Sequence, residues 1–460
     1  MTTPATERVT LSELVGALSF ALDLTEGQPP GHSLRCCWIG MHLGQRLGLS
    51  AAELSDLYYT LLLKDVGCSS NAARICELFL TDDLSFKNHA KTVDDSLPEQ
   101  VRFALSQAGA GAGLAEKLRS VVRLARTGRH AVMHELVDTR CHRGADVVRR
   151  LRFDEDVARA ILDLDEHWDG KGLPEGLRGG KISRYARIAL LAQVLDVFHA
   201  QHGPAAALAE IRRRSGVWFD PELVAILDSI ASPAFWAMLV SDDLAAAVVQ
   251  LEPQSLVRLV DEDYLDAIAQ GFAQVVDAKS PFTSGHSDRV ALFADLIAEE
   301  VGMGEARRRW LRRAALLHDI GKLGVPNVVL DKPGKLDERE WAAIRRHPAL
   351  GEDILSRVAV FQDVAVIAGA HHERLDGKGY PRGIGGDDIG FETRIVTVAD
   401  IFDALTADRP YRERIPVSKA LAMMSEWVGS QLDPMCFSAL QRAMARVEAA
   451  AAEGPEAEAA

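Results

Sequence analysis

The chain has 460 residues, 48% of them hydrophobic, and carries 66 acidic against 52 basic side chains, a formal net charge of −14. A chain of this length exceeds one ordinary core and points to two domains, each with ample apolar residues to bury. The acidic balance excludes a broad reader of nucleic-acid backbone, which carries a basic face, so any anionic ligand must be held by local cations.

The opening residues Met1-Thr2-Thr3-Pro4 lack the basic and apolar regions of a secretory signal, and no run of about twenty apolar residues follows. A soluble, cytoplasmic protein without membrane insertion is expected. Six cysteines, Cys36, Cys37, Cys68, Cys76, Cys141 and Cys436, are scattered without a Cys-x-x-Cys spacing and read as reduced, mostly packed thiols.

Helical periodicity runs through nearly the whole chain and β-type alternation is scarce, so the fold class expected is all-α, in two tandem helical bundles. In chain order, Gly31-His32-Ser33-Leu34-Arg35 comes first, and Ser50 with Glu53 then fits a capping box at a helix start. Leu63-Lys64-Asp65-Val66-Gly67, Trp168-Asp169-Gly170-Lys171-Gly172-Leu173-Pro174 and Phe219-Asp220-Pro221 follow. Pro253 and the acidic run Asp261-Glu262-Asp263 then interrupt the apolar pattern, which places a linker at 241–265. Beyond it the landmarks return as Gly285-His286-Ser287-Asp288-Arg289, Leu317-His318-Asp319-Ile320-Gly321, Leu375-Asp376-Gly377-Lys378-Gly379-Tyr380-Pro381 and Leu432-Asp433-Pro434. The first two pairs share one offset and the later two have shorter ones, so the first copy holds an insertion. Two related domains, 8–240 and 266–447, account for this repetition. Within the second, 306–317 and 417–428 have amphipathic helical spacing, and Asp337 with Glu340 forms another capping box. The alanine-rich acidic tail, 448–460, has too little bulk to pack and is expected to be disordered.

Chemistry concentrates in the second copy. His286, His318, Asp319, His347, His371, His372 and Asp400 recur at intervals of about one helix plus one loop. One such residue alone is an ordinary cap or core group; seven together point to a metal-dependent phosphohydrolase. Imidazole nitrogens and carboxylate oxygens suit iron, manganese or zinc, and a carboxylate can bridge two ions. Adjacent His-Asp and His-His pairs can both aim inward only at a helix end or an irregular turn, which Gly321 and Gly369 stand near enough to permit. Carried to the first copy, these positions become His32, Lys64, Asp65, Leu164, Asp165 and Gln193, while His347 maps to Arg140 or, with a small gap, His142. Only His32 and Asp65 survive as ligands, and the Lys64 ammonium opposes metal binding. The first domain therefore reads as a non-catalytic partner.

Leu317-His318-Asp319-Ile320-Gly321-Lys322, His371-His372-Glu373-Arg374-Leu375-Asp376-Gly377-Lys378-Gly379-Tyr380-Pro381 and Asp408-Arg409-Pro410-Tyr411-Arg412 resemble the HD-GYP family, a bacterial branch of the HD metal-phosphohydrolase superfamily. The resemblance spans about 266–442, and the first half resembles a degenerate HD-GYP domain. It implies a cyclic di-GMP phosphodiesterase giving pGpG and onward GMP, with another cyclic dinucleotide, a nucleotide, or a non-enzymatic sensing role as alternatives. It implies His286, His318, Asp319, His347, His371, His372 and Asp400 as ligands of two divalent ions, iron or manganese ahead of zinc, nickel or cobalt, with Asp319 bridging and catalytic. Phe282 stands where relatives with a third ion have glutamate, so a dinuclear site is expected. By the same resemblance Lys322 is catalytic and meets a phosphate oxygen, Gly379, Tyr380 and Pro381 line the nucleotide pocket, and Arg409 and Arg412 hold phosphates and bases. Diguanylate cyclases carrying GGDEF motifs and a second copy of the chain are the protein partners it suggests.

Overall fold

The computed structural model describes residues 9–79, 81–90, 129–408 and 413–453. Among them the regular structure is helical; pairing of the β type is limited to isolated bridges such as Thr10 with Leu259. The chain divides into two compact units, Met1–Ala267 with Pro326–Leu330, and Ile268–Val325 with Asp331–Ala460.

The first unit contains α1 (Leu11–Thr25), α2 (His32–Arg46), α3 (Ala51–Leu63), α4 (Ala72–Phe79), α5 (Asp83–Ala90), α6 (Arg129–Arg150), α7 (Glu155–Leu162), α8 (Arg184–Arg213), α9 (Pro221–Ile230), α10 (Pro233–Leu239) and α11 (Leu244–Val249). Its core is built on the apolar stripe of α1, where Leu11, Leu14, Leu18 and Leu22 are fully buried, against Ile39 and Met41 of α2 and Leu57, Leu61 and Leu62 of α3. Ser50 and Glu53 form the expected capping box at the start of α3.

The segment expected to be a linker, 241–265, is instead built into the first unit. Leu244 and Val248 of α11 are buried. The Glu252 carboxylate accepts hydrogen bonds from Ser12 at 2.6 Å and Tyr59 at 2.5 Å, and Leu11 N donates to Arg258 O at 2.8 Å. The acidic run opens a helix: Asp261 accepts from Tyr264 N at 2.8 Å and caps α12 (Glu262–Asp277). Proline and acidic residues here interrupt helices without interrupting packing.

The second unit, which α12 enters at Ile268, continues with α13 (His286–Glu300) and α14 (Glu305–Leu317). After α15 (Asn327–Leu330), which groups with the first unit, come α16 (Glu338–Arg345), α17 (His347–Ser356), α18 (Gln362–Ala370), α19 (Phe391–Thr406), α20 (Val417–Ser425) and α21 (Pro434–Glu453). Asp337 and Glu340 close a capping box on α16. α21 also corrects the expected disordered tail, because it runs on to Glu453. Ala439, Leu440, Ala443 and Met444 anchor it, and alanine, the strongest helix former, carries it beyond the packed part. Residues 454–460 lie outside the described chain.

The same local devices recur in each unit. Asp23 accepts from Ser33 as Asp277 does from Ser287. Glu166 accepts from the amides of Glu175 and Leu177 as Glu373 does from those of Arg382 and Gly383. Arg187 pairs with Asp220 as Arg394 does with Asp433. These buried polar contacts hold the turns of both copies in one shape, which makes the Gly-and-Pro turn structural in each. Among the described residues no single helix is long and apolar enough to cross a membrane.

Candidate metal centre

In the second unit all seven sequence-derived ligand candidates meet, six of them at helix ends. His286 is the first residue of α13, after Gly285 in the left-handed conformation. His318 and His371 follow the last residues of α14 and α18, where the backbone leaves the helix and Asp319 and His372 can face the same interior. His347 opens α17, and Asp400 sits within α19. The two glycines act differently from the expected irregularity. A Cβ on Gly321 would stand 1.9 Å from His347 O and 2.6 Å from Gly351 N, so Gly321 is needed for close backbone approach. A Cβ on Gly369 would meet the Glu352 carboxylate at 2.2 Å.

The donors form two groups, His286, His318 and Asp400 in one and Asp319, His347, His371 and His372 in the other, with ligand atoms in each group within 4.8 Å of one another. Asp319 divides its oxygens between them. Its Oδ2 lies 3.3 Å from His286 Nε2 and 3.2 Å from His318 Nε2, while its Oδ1 lies 3.3 Å from His347 Nε2 and 3.7 Å from His371 Nε2. Asp400 Oδ1 is 3.4 Å from His286 Nε2. Lys322 pairs with Asp319 and is 19% exposed.

The tautomers follow from the partners. Nδ1 of His318, His347 and His371 lies 2.6, 2.7 and 2.7 Å from the carbonyl oxygens of Ala315, Ile344 and Ala368. A carbonyl cannot donate, so each Nδ1 carries the proton and each Nε2 presents a lone pair inward. His347 Nε2 and His371 Nε2 face each other at 3.2 Å, a contact between two acceptors that a shared cation reconciles. His286 Nε2, His318 Nε2 and Asp319 Oδ1 are buried without a hydrogen-bond partner. Ligand-to-metal distances of about 2.1 Å give donor-to-donor spacings of about 3.0–3.4 Å, which matches the closest pairs here. The residues present therefore fit two divalent cations.

The charges agree. Burial alone would raise the Asp319 carboxyl, but His318, Lys322 and His286 outweigh it and hold the group well below the usual carboxylate range. Burial likewise opposes charge on His286, yet Asp319, Asp400 and Asp403 push it up to about 10. Burial dominates at His371, held down at about 4, and at His372, well below the usual imidazole range. Such imidazoles stay neutral near pH 7 and keep their lone pairs for a cation.

Sequence reasoning missed Asp403 and Arg289. His286 Nδ1 bonds Asp403 Oδ2 at 2.6 Å and Arg289 Nε donates to Asp403 Oδ1 at 2.5 Å, so this carboxylate sets the ring's orientation. The first unit keeps the arrangement in His32, Asp196 and Arg35, at 2.7 Å for both bonds. That retention across the repeat was the available signal. Asp403→Ala is expected to weaken metal retention by about 10–100-fold, read by competition with a chromogenic chelator; unchanged affinity in a folded variant would show that the ring is held by other means.

The first unit's centre is chemically different. Lys64 is wholly buried and pairs with Asp65, and Arg140 pairs with Asp165. A Cβ on Gly67 would meet Arg140 O at 2.1 Å and Gly144 N at 2.7 Å, the counterpart of the Gly321 contact with His347 and Gly351. Arg140, not His142, is therefore the equivalent of His347, and His142 lies exposed beside Asp138. An ammonium and a guanidinium thus stand beside the carboxylates where the second unit has imidazoles.

Of the residues expected to meet substrate, Tyr380 stacks on His372 with ring centroids 4.8 Å apart and planes 30° apart. Gly379 sits against the backbone of His372 to Arg374, with 2.5 Å between a Cβ built there and Glu373 Cα, so side chains are excluded. Pro381 completes the turn, whose Arg382 amide is held by Glu373 at 2.7 Å. Arg409 and Arg412 lie outside the described residues. All six cysteines are free, five buried and Cys76 half-buried.

Comparison with known proteins places these features in a family. The HD domain family matches residues 86–223 and 271–436. The chain is 54% identical over 435 residues to 3′3′-cGAMP-specific phosphodiesterase 3 of Vibrio cholerae serotype O1, covering 94% of each chain. It is 34% identical over 317 residues to 3′3′-cGAMP-specific phosphodiesterase 1 of the same organism, 66% of this chain and 73% of that one. The cyclic di-GMP phosphodiesterase response regulator RpfG of Xanthomonas campestris pv. campestris is 39% identical over 212 residues, 45% of this chain and 56% of that one. Among solved structures, the cyclic GMP-AMP specific phosphodiesterase V-cGAP3 of V. cholerae superposes with a TM-score of 0.65 at 48% identity, covering 95% of this chain and 98% of that chain. The chain belongs to the HD domain family of metal-dependent phosphohydrolases, as an HD-GYP-type domain preceded by a degenerate copy of itself.

Proposed function

We propose that this protein is a metal-dependent phosphodiesterase that opens 3′3′-cGAMP to a linear, 5′-phosphorylated dinucleotide. The motif set by itself leads to cyclic di-GMP as the substrate. What favours the mixed dinucleotide is the extent of the likeness to 3′3′-cGAMP-specific phosphodiesterase 3, which runs through both halves at 54% identity, whereas RpfG matches 45% of the chain. Cyclic di-GMP remains the second reading on the strength of that match.

The metal-ligand roles of His286, His318, Asp319, His347, His371, His372 and Asp400 rest on the two donor groups and on Asp319 facing both. When bound, two divalent cations supply an acidified water and neutralise charge on the phosphoryl oxygens. The chain's own residues do the rest. Asp319, kept ionised, holds the two donor groups to one carboxylate. Asp403 and Arg289 fix the His286 ring, and Lys322, beside Asp319 and partly open to solvent, provides fixed positive charge for a substrate phosphate. Tyr380, on a turn held by Glu373, presents a ring next to His372 against which a ligand can pack. Iron or manganese is the proposed metal pair, since mixed imidazole and carboxylate donors suit both.

Protein loaded anaerobically with Fe(II) or Mn(II) and given 3′3′-cGAMP, cyclic di-GMP and cyclic di-AMP in parallel tests the proposal. The expected result is a kcat/KM for 3′3′-cGAMP at least about tenfold above the others, a preference of about 1.4 kcal/mol. Equal or better turnover of cyclic di-GMP would restore the second reading, and no turnover of any of the three would remove both.

A further inference from the structure

Outward from the metal centre, the second unit carries a run of stacked groups that ends on an exposed tryptophan. His371 and His372 have ring centroids 4.2 Å apart, and His372 stacks on Tyr380 at 4.8 Å. The Arg345 guanidinium carbon lies over the Tyr380 ring at 5.9 Å and over the Trp341 ring at 5.6 Å. Trp341 is 43% exposed. A Trp and an Arg four residues apart on one helix make an ordinary surface contact. Here the contact continues through Tyr380, on a different segment, to the imidazoles of the candidate metal centre.

Charge accounting sets Arg345 apart from the arginines of the Gly-Tyr-Pro turn. The arginines around the Gly-Tyr-Pro turn are already engaged: Arg374 with Asp376 at 2.6 Å, Arg382 with Glu352 at 2.7 Å and Arg394 with Asp433 at 3.0 Å. Arg345 is exposed, and among the described residues no carboxylate stands within ion-pair distance of it. An uncompensated guanidinium beside a phosphodiester-cleaving centre, in a chain of net charge −14, is a ready-made donor for a ligand. A guanidinium carries its N–H donors in one plane, a planar fork. That fork matches adjacent acceptors such as N7 and O6 of guanine, whereas adenine offers N7 beside an amino group. The exposed indole offers a stacking face for a purine.

We infer that Trp341 and Arg345 form a purine seat that takes the guanine of the substrate, Arg345 donating to its N7 and O6 edge and Trp341 packing on its face. This rests on the proposed cyclic-dinucleotide activity and adds recognition residues that the ligand set and the Gly-Tyr-Pro turn do not include.

The test compares full-length, metal-loaded wild type with Arg345→Ala, Arg345→Lys and Trp341→Ala on 3′3′-cGAMP and on bis(p-nitrophenyl) phosphate, which has no purine. Arg345→Ala is expected to raise KM for 3′3′-cGAMP about tenfold or more with kcat changed by less than about twofold. The loss in kcat/KM on bis(p-nitrophenyl) phosphate should be several times smaller. Arg345→Lys should fall well short of wild type, since a point charge lacks the fork, and Trp341→Ala should also act on KM. A KM for 3′3′-cGAMP unmoved in Arg345→Ala, full rescue by lysine, or equal losses on both substrates would each overturn the seat. Should the wild type cleave bis(p-nitrophenyl) phosphate but no cyclic dinucleotide, the functional reading itself fails, an outcome separate from the seat's own failure.

Discussion

Asp319→Ala is expected to abolish turnover, lowering kcat/KM at least about 10³-fold, which corresponds to about 4 kcal/mol of transition-state stabilisation. The argument is geometric. Asp319 is the residue whose two oxygens face the two histidine groups separately, at 3.2–3.3 Å from their nearest nitrogens. Its removal takes a donor from each group at once and leaves Lys322 without the carboxylate it pairs with. Metal content, by elemental analysis of purified protein, should fall together with activity. Asp400→Ala, whose donor atom belongs to one group alone, should leave more metal bound than Asp319→Ala. A variant lacking Asp319 that still held a full complement of metal would contradict the bridging role, whatever its activity.

Lys64→Met is expected to destabilise the first unit by about 3–5 kcal/mol, because it takes from a buried carboxylate the ammonium that pairs with it. Asp65 and Lys64 are both wholly buried. In thermal unfolding, the transition belonging to the first unit should drop by roughly 6–20 °C for a unit of this size. Lys64→Met combined with Asp65→Leu should recover part of the loss, since both members of the buried pair are then removed together. Metal bound by the proposed centre should stay that of the wild type, because His286, His318, Asp319, His347, His371, His372 and Asp400 lie in the second unit. If Lys64→Met were neutral, the ammonium would not be compensating Asp65, and the account of the degenerate copy as a centre with built-in cations would fall.

What the sequence by itself determined is what local patterns can carry. Helical period and capping pairs such as Ser50 with Glu53 and Asp337 with Glu340 declare helices, because cap and periodicity are satisfied within a few residues. The repeated landmarks declared two copies, and the ordered histidines and aspartates named the seven candidate donors that the fold brings together. Tertiary structure decided everything that depends on residues far apart in the chain. Arg140 rather than His142 became the equivalent of His347 because Gly67 and Gly144 leave room for only one backbone approach. The 241–265 segment proved to be packed, since Glu252 finds its donors on Ser12 and Tyr59, more than a hundred residues away. Asp403 became an orienting group and Arg345 a neighbour of Tyr380 for the same reason. A single sequence records which groups are present, but only the folded chain brings a charge within reach of its partner, and electrostatic and hydrogen-bond energies fall off over a few ångströms.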